Sequence, residues 1–189
     1  MLQRICVYCG SSTGNDEIYT RAAQDLANVL VQNNIELVYG GAAKGTMGIL
    51  ADAVLEHGGA VHGVIPKMLE EKEIAHTGLS KLHVVVSMHE RKSMMAALSD
   101  AFIALPGGFG TLEELIEVLT WGQLRFHEKP CGLLNVGGYF QRLLGFLDHM
   151  QEEGFLKPVN RAMLLADDDP AGLLRQFETY TPPVTDKWL

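Results

Sequence analysis

Ala101-Phe102-Ile103-Ala104-Leu105-Pro106-Gly107-Gly108-Phe109-Gly110-Thr111-Leu112-Glu113-Glu114 decides the fold. Five apolar residues in a row suit a strand buried on both faces, and a helical pattern over 111–125 opens straight out of the glycine turn. A strand that ends in glycines and starts a helix is the repeating unit of a parallel α/β sheet. The same turn is chemically suggestive. Backbone N–H groups there, with the positive end of the helix dipole, make a seat for an anion such as a phosphate. Glu114 falls in the first turn of that helix, a carboxylate beside a pocket that attracts negative ligands.

Working outward, short β-rich runs alternate with amphipathic segments along nearly the whole chain. Strands are expected at 4–9, 36–40, 60–65, 82–87, 101–105, 130–136 and 163–166, and helices at 16–33, 45–57, 88–98, 111–125, 138–153 and 170–179. The pattern predicts a single-domain, Rossmann-like, doubly wound parallel sheet of about seven strands with helices on both faces. One catalytic domain is expected over residues 1–180, followed by an irregular tail at 181–189. Glycine and small polar residues gather where the strands end: Cys9-Gly10-Ser11-Ser12 after the first, Gly40-Gly41-Ala42-Ala43 after the second, Met88-His89-Glu90-Arg91-Lys92 after the fourth. Gly10, Ser11, Gly40, Gly41 and Met88 are therefore candidate ligand contacts, at the sheet edge where this fold class binds.

Composition narrows the partners. The chain has 189 residues, 47% of them hydrophobic, and a formal net charge of −8. With no basic cluster longer than Arg91-Lys92, nucleic acid is not expected as a partner, because such binding rests on many phosphate contacts. No apolar run reaches the roughly 18 residues that span a bilayer, so no membrane association is expected. The opening residues read as a strand and lack a signal-peptide pattern. Three cysteines argue for a reducing compartment, and the cytoplasm is the expected location. Cys6 and Cys9 are spaced as Cys-x-x-Cys, but on a strand they face opposite sides and cannot share a metal. No metal or cofactor is expected.

Glu114 has a bland alternative. Thr111 and Glu114 fit a capping box, in which each would satisfy free N–H groups at a helix start, and Gly108 or Gly110 could serve a positive φ. Helical spacing argues otherwise by placing Leu112, Leu115, Ile116 and Leu119 on the core stripe and Glu114 on the opposite side with Glu117, Val118 and Trp121. Two apolar sides suggest a helix that packs against its own sheet and against a second subunit. Arg91 stands i−3, i−4 and i−7 from Met94, Met95 and Leu98, at the head of an inward stripe. An inward arginine needs an anion, and a phosphate or Glu114 would supply it; a purely structural ion pair is the alternative. The first turn lacks Gly-x-Gly-x-x-Gly, and the second strand ends in Tyr39-Gly40-Gly41 without an acidic residue, so NAD is disfavoured and a mononucleotide fits better.

Pro106-Gly107-Gly108-Phe109-Gly110-Thr111-Leu112-Glu113-Glu114, with the upstream pair Arg91-Lys92, resembles the signature of the LOG (LONELY GUY) family, long labelled lysine decarboxylase-like. The resemblance extends from Cys9-Gly10-Ser11-Ser12 through Thr120-Trp121 to Gly132-Leu133-Leu134-Asn135. It implies cleavage of the N-glycosidic bond of cytokinin riboside 5′-monophosphates, and in some members AMP, to free base and ribose 5-phosphate. By position Arg91 and Glu114 match the catalytic pair. Lys92, the loop Gly107, Gly108, Phe109, Gly110 and Thr111, together with Thr120 and Glu73, match nucleotide-contacting positions. Ala42 departs from the pattern, standing where many members carry a third glycine. A homodimer with the active site near its interface accords with the resemblance. Two rivals use the same fold: a non-catalytic nucleotide or cofactor carrier, which would not require Glu114, and a pyridoxal-phosphate decarboxylase built on Lys92. The second lacks an aspartate placed for the pyridinium nitrogen.

Overall fold

Apolar strands of four to six residues assemble into one all-parallel sheet in a computed structural model that describes residues 2–70 and 75–183. In chain order the elements are β1 (Arg4–Tyr8), α1 (Glu17–Gln32), β2 (Glu36–Tyr39), α2 (Gly45–Glu56), β3 (Val61–Pro66) and α3 (Lys67–Glu70). There follow β4 (Lys81–Val85), α4 (Met88–Leu98), β5 (Ala101–Ala104), α5 (Phe109–Gln123), β6 (Cys131–Leu134), a 3₁₀ turn (Val136–Gly138) and α6 (Gln141–Glu152). The chain closes with α7 (Pro158–Arg161), β7 (Leu164–Asp167) and α8 (Pro170–Glu178). Each expected strand and long helix is present; the short α3, α7 and 3₁₀ turn have too few residues to show a period. Residues 181–183 are irregular, and the rest of the expected tail lies outside the described residues.

The seven strands run in the order β4-β3-β2-β1-β5-β6-β7. The chain therefore starts in the middle, winds out to β4, returns to β5 beside β1, and winds out the other way. Alternation along β1 divides the core. Ile5 and Val7 face α1, α2 and α8, whereas Cys6 and Tyr8 face α4, α5 and α6. Cys6 and Cys9 fall in different core layers as their spacing requires, and with Cys131 they are buried free thiols.

Doubly wound sheets bind ligands where the winding reverses, outside the carboxyl ends of the strands. Here that point lies between β1 and β5, whose register runs from Ile5 opposite Ala101 to Tyr8 opposite Ala104. Both strands run directly into glycine loops, so topology brings Gly10 and Gly107 together from 97 residues apart. A Cβ on Gly107 would stand 3.0 Å from the Gly10 nitrogen, and one on Gly45 would stand 2.3 Å from the Ser11 carbonyl carbon. Thr46 Oγ1 donates to Gly10 O at 3.0 Å and ties α2 to the same junction.

Gly132 in β6 performs a similar service inside the core. A Cβ there would lie 2.7 Å from Leu173 Cδ1 and 2.9 Å from the Phe177 ring, so α8 closes on the sheet because β6 offers no side chain at that point. Gly132→Val should lower the unfolding free energy by about 1–3 kcal/mol through overpacking, read as a shift of the urea midpoint at unchanged slope.

Candidate active site

α5 starts two residues earlier than its hydrophobic period suggests, at Phe109 with Gly108 as N-cap, and no side chain caps it. The capping-box alternative therefore fails. Thr111 is inside the first turn and Glu114 points at Arg91 instead of a backbone amide. Gly108 has φ −92 and Gly110 is not left-handed either, so neither glycine serves a positive φ. Uncapped first-turn N–H groups lack intrahelical partners by construction. They open onto a space in which a Cβ on Gly108 or Gly110 would meet nothing within 4 Å. A helix N-terminus dressed with glycines and no capping side chain is suited to take an anion.

The phase of α5 also differs from the expectation. Its inward face is Thr111, Glu114, Leu115, Val118 and Gly122, while Ile116 is exposed and Leu112 and Leu119 are half-buried. Glu114 thus lies on the core stripe, beside Leu115 and Val118. The apolar count misled because α5 carries hydrophobic residues on two sides, and the smallest side, with Gly122 at its end, is the one the sheet accepts.

A carboxylate so placed requires a partner. Arg91 Nη1 donates to Glu114 Oε1 at 2.9 Å, and Arg91 Nε donates to the Val64 carbonyl at 3.0 Å. Both side chains are about nine-tenths buried, at 11% and 10% exposed. Glu114 Oε2 has no hydrogen-bond partner among the described residues. Burial pushes the Glu114 carboxyl above the usual carboxylate range, and the Arg91 guanidinium works against that rise. Arg91 reaches this position by passing against Gly40, just beyond β2: a Cβ there would lie 2.0 Å from Arg91 Nη2. Gly40 acts by making room for a cation. Gly41, with φ 78, turns the chain away so that its carbonyl accepts from the His76 N–H at 2.9 Å. Ala42 is buried and its carbonyl accepts from Tyr39 Oη at 3.2 Å, a position that a methyl group does not disturb.

Lys92 is more deeply inward than Arg91. It shares the buried face of α4 with Met95 and Ala96, and its Nζ bonds Glu113 at 2.5 Å and Glu117 at 3.0 Å. Hydrogen bonds to these two carboxylates raise its pKa and outweigh burial. Met88 opens α4 and is exposed; Phe109 is exposed above the glycine loop. Thr120 sits on the outer side of α5, where its hydroxyl donates to Ile116 O at 2.7 Å, away from the Arg91–Glu114 pair. Glu73 lies outside the described residues. Gly10 and Ser11 meet Gly107 and Gly108 in a cleft of about 290 Å³ at the β1–β5 reversal. Tyr19 and Tyr139 complete that cleft. Neither tyrosine carries a pattern by which sequence could single it out, although the Gly137-Gly138 turn after β6 repeats the glycine punctuation of the other strand ends. Among the described residues, no group of His, Cys, Asp and Glu is arranged to hold a metal ion.

Residues 47–177 match the family described as possible lysine decarboxylase. The chain is 50% identical over 180 residues to cytokinin riboside 5′-monophosphate phosphoribohydrolase LOG3 of Arabidopsis thaliana, covering 95% of this chain and 84% of the relative. With LOG1 of the same plant it shares 51% over the same length and coverage. A probable phosphoribohydrolase of rice (Oryza sativa subsp. japonica), LOGL5, is 50% identical over 97% of this chain and 75% of its own. Among solved structures, the molybdenum cofactor carrier protein of Chlamydomonas reinhardtii superposes with a TM-score of 0.72 at 21% identity, over 95% of this chain and all of the other. The molybdenum cofactor binding protein of Rippkaea orientalis gives 0.71 at 19%, over 95% and 97%. At such identity the likeness is one of fold.

The opposing influences on Glu114 give its titration a defined sign. A carboxyl raised above its ordinary 4.5 binds its proton more firmly in the folded state. Ionising it therefore removes stability as pH rises from that value through the raised one. Arg91→Met removes the opposing charge, so the Glu114 midpoint should move further up, read by carbon-detected NMR of the side-chain carboxyl. A midpoint that stays or falls would show that Arg91 does not govern this group.

Proposed function

The chain belongs to the LOG family of cytokinin riboside 5′-monophosphate phosphoribohydrolases, and on that premise we propose that it hydrolyses the N-glycosidic bond of nucleoside 5′-monophosphates. The substrates are cytokinin riboside 5′-monophosphate, AMP, or both, and the products are the free base and ribose 5-phosphate. The observation that carries the proposal is the buried Arg91–Glu114 pair beside the uncapped N-terminus of α5. One part suits a phosphate and the other a reacting sugar.

In this scheme the 5′-phosphate rests on the amides of Gly108, Phe109, Gly110 and Thr111, with Gly107, Gly10 and Ser11 behind it. Anchoring there places C1′ towards Glu114 and converts remote binding energy into alignment. The bond from C1′ to the base nitrogen breaks with its electron pair leaving on the base, which takes up a proton from solvent, to which Glu114 later returns the one it receives. Positive charge develops on the sugar as an oxocarbenium ion, and the Glu114 carboxylate stabilises it. Water then adds to C1′ and gives its proton to Oε2 of Glu114. Arg91 holds Oε1, favours the ionised carboxylate against the burial that raises its pKa, and fixes its direction. Lys92 braces Glu113 and Glu117, which keeps α4 and α5 in register around the pair. The scheme assigns no step to a metal or cofactor.

We further propose that this single catalytic domain, residues 1–180, works as a homodimer in the cytoplasm. Val86 and Phe109 are 88% and 93% exposed, and Met88 and Ile116 add to the apolar surface at the entry of α4 and along α5. A second copy would cover that surface and bring Thr120 into the interface beside the site. Glu73, which matches a nucleotide-contacting position of the family, is assigned to the substrate on that resemblance. Three buried free thiols accord with a reducing compartment.

Incubation with AMP and with isopentenyladenosine monophosphate should release the free base. Glu114→Gln should cut kcat by about 10²-fold or more while nucleotide binding persists. Tight nucleotide binding without base release by the wild-type protein would instead mark a carrier. In sedimentation, the wild-type protein should run at twice the 20.7 kDa chain mass, and Val86→Asp should shift it to the monomer. A monomeric wild type at micromolar concentration would remove the dimer.

A further inference from the structure

Arg4, Glu36, His62 and His83 form a row across β1, β2, β3 and β4, on the face of the sheet that Cys6 and Tyr8 share. Arg4 stands in register with Glu36, Val38 with His62, and Val64 with His83 of the edge strand β4. Arg4 Nε donates to Glu36 Oε2 at 2.7 Å, and the His62 Nε2–H donates to the same oxygen at 3.1 Å. The His62 and His83 rings then stack, with centroids 6.0 Å apart and planes 20° from parallel. One carboxylate serves the whole row, and it is already shared.

Two ring nitrogens have nothing to meet. His62 Nδ1 and His83 Nε2 are buried without a hydrogen-bond partner. A neutral imidazole keeps its proton on one nitrogen and leaves the other bare, as His62 does by donating to Glu36. The cation donates from both nitrogens. Charging either ring therefore buries an N–H with no acceptor, at the cost of its desolvation. The charged neighbours add to that cost. Lys81 stands on β4 itself, in register with His62, and two charged imidazoles would meet across the strands as like charges. Packed on β3 and β4, α4 brings Glu90, which accepts from the Val86 N–H, with Arg91 and Lys92, which are spent on carboxylates of α5. From the other end of β3, α3 brings Lys67 and Glu70. Among the described residues, Glu36 is the only carboxylate bonded to either ring. Burial first, then Lys81 and His62, hold the His83 ring below its ordinary 6.5.

We infer that His62 and His83 form an acid-sensitive fastener between β3 and the edge strand β4: when the rings take up protons, a row with a single carboxylate must hold added positive charge, and β4 loosens from the sheet. Only Val86 and Ser87 separate β4 from α4, so the strand that loosens leads straight into the helix bearing Arg91. The unfolded chain takes up the His83 proton near 6.5 and the folded chain only at lower pH. Stability is therefore complete above 6.5 and falls as pH drops from there towards the lowered value.

His83→Phe keeps a ring against His62 and removes the proton site. By urea unfolding between about pH 7 and about pH 5, the folding equilibrium constant of the wild type should fall roughly three- to tenfold more than that of His83→Phe. His127, which burial also holds low, is common to both proteins and cancels. In hydrogen exchange, mild acid should strip protection from the β4 amides before those of β1. By NMR the His83 ring should titrate below 6.5, and its midpoint should move up in Lys81→Met, which leaves both imidazoles in place. Equal pH dependence of the wild type and His83→Phe would overturn the fastener, as would protection lost evenly across the sheet. Should His83→Phe not fold, the NMR titration decides, and a His83 midpoint at or above 6.5, or one indifferent to Lys81, overturns it as well.

Discussion

The ion pair between Arg91 and Glu114 is the constraint around which the rest of this structure is arranged. Removing two charges from water is expensive, and their attraction repays it only with good geometry and additional hydrogen bonds. Every neighbouring element contributes to those conditions. β3 offers the Val64 carbonyl to the guanidinium, the residue after β2, Gly40, has no side chain so that the guanidinium can pass, and α5 presents the carboxylate from its inward stripe. The adjacent residue on α4, Lys92, repeats the arrangement with Glu113 and Glu117. Two charged rungs at consecutive positions fix the sliding and rotation of α4 against α5 more tightly than the small apolar contact between them could.

The glycine loops answer a different requirement, that of bringing backbone close to backbone. Gly107 lies against Gly10, and Gly45 against Ser11 and Ser12, so closely that a Cβ at Gly45 or Gly107 would force a shift. What results is a wall of main-chain amides in a protein whose net charge is −8. Long-range repulsion therefore does not favour a phosphorylated ligand, and the proposed capture would depend on local dipoles acting at short distance. Since backbone amides do not titrate, that capture should be insensitive to pH apart from the phosphate itself.

Much of this was legible before any coordinates. The strands are visible because most are short apolar runs separated by helix-length segments, and their glycine-rich ends mark the sheet edge at which a site is expected. Arg91 and Glu114 were paired on the ground that a buried cation and a buried carboxylate each need the other. What escaped was detail that period alone does not encode. Helix α5 is apolar on two sides, so spacing put Ile116 inward and Glu114 outward, whereas the sheet accepts the narrower face ending at Gly122. The partners of Lys92, Glu113 and Glu117, lie more than twenty residues away on another helix, where no local spacing reveals them. Tyr139 gave no signal, since a tyrosine after a glycine pair is common and only the fold brings its hydroxyl to Gly107.

The reversal of winding between β1 and β5 has a consequence for how the molecule comes into being. β1 is a central strand, yet one of its two edges is covered by residues 101–104. While the chain emerges from the ribosome, β2, β3 and β4 can pair in succession, but the far edge of Ile5-Cys6-Val7-Tyr8 remains open until nearly a hundred more residues have been made. Such an apolar, unpaired edge invites association with other chains. Strands β1 to β4 alone would make a half-sheet with one adhesive edge, which Ala101-Phe102-Ile103-Ala104 closes.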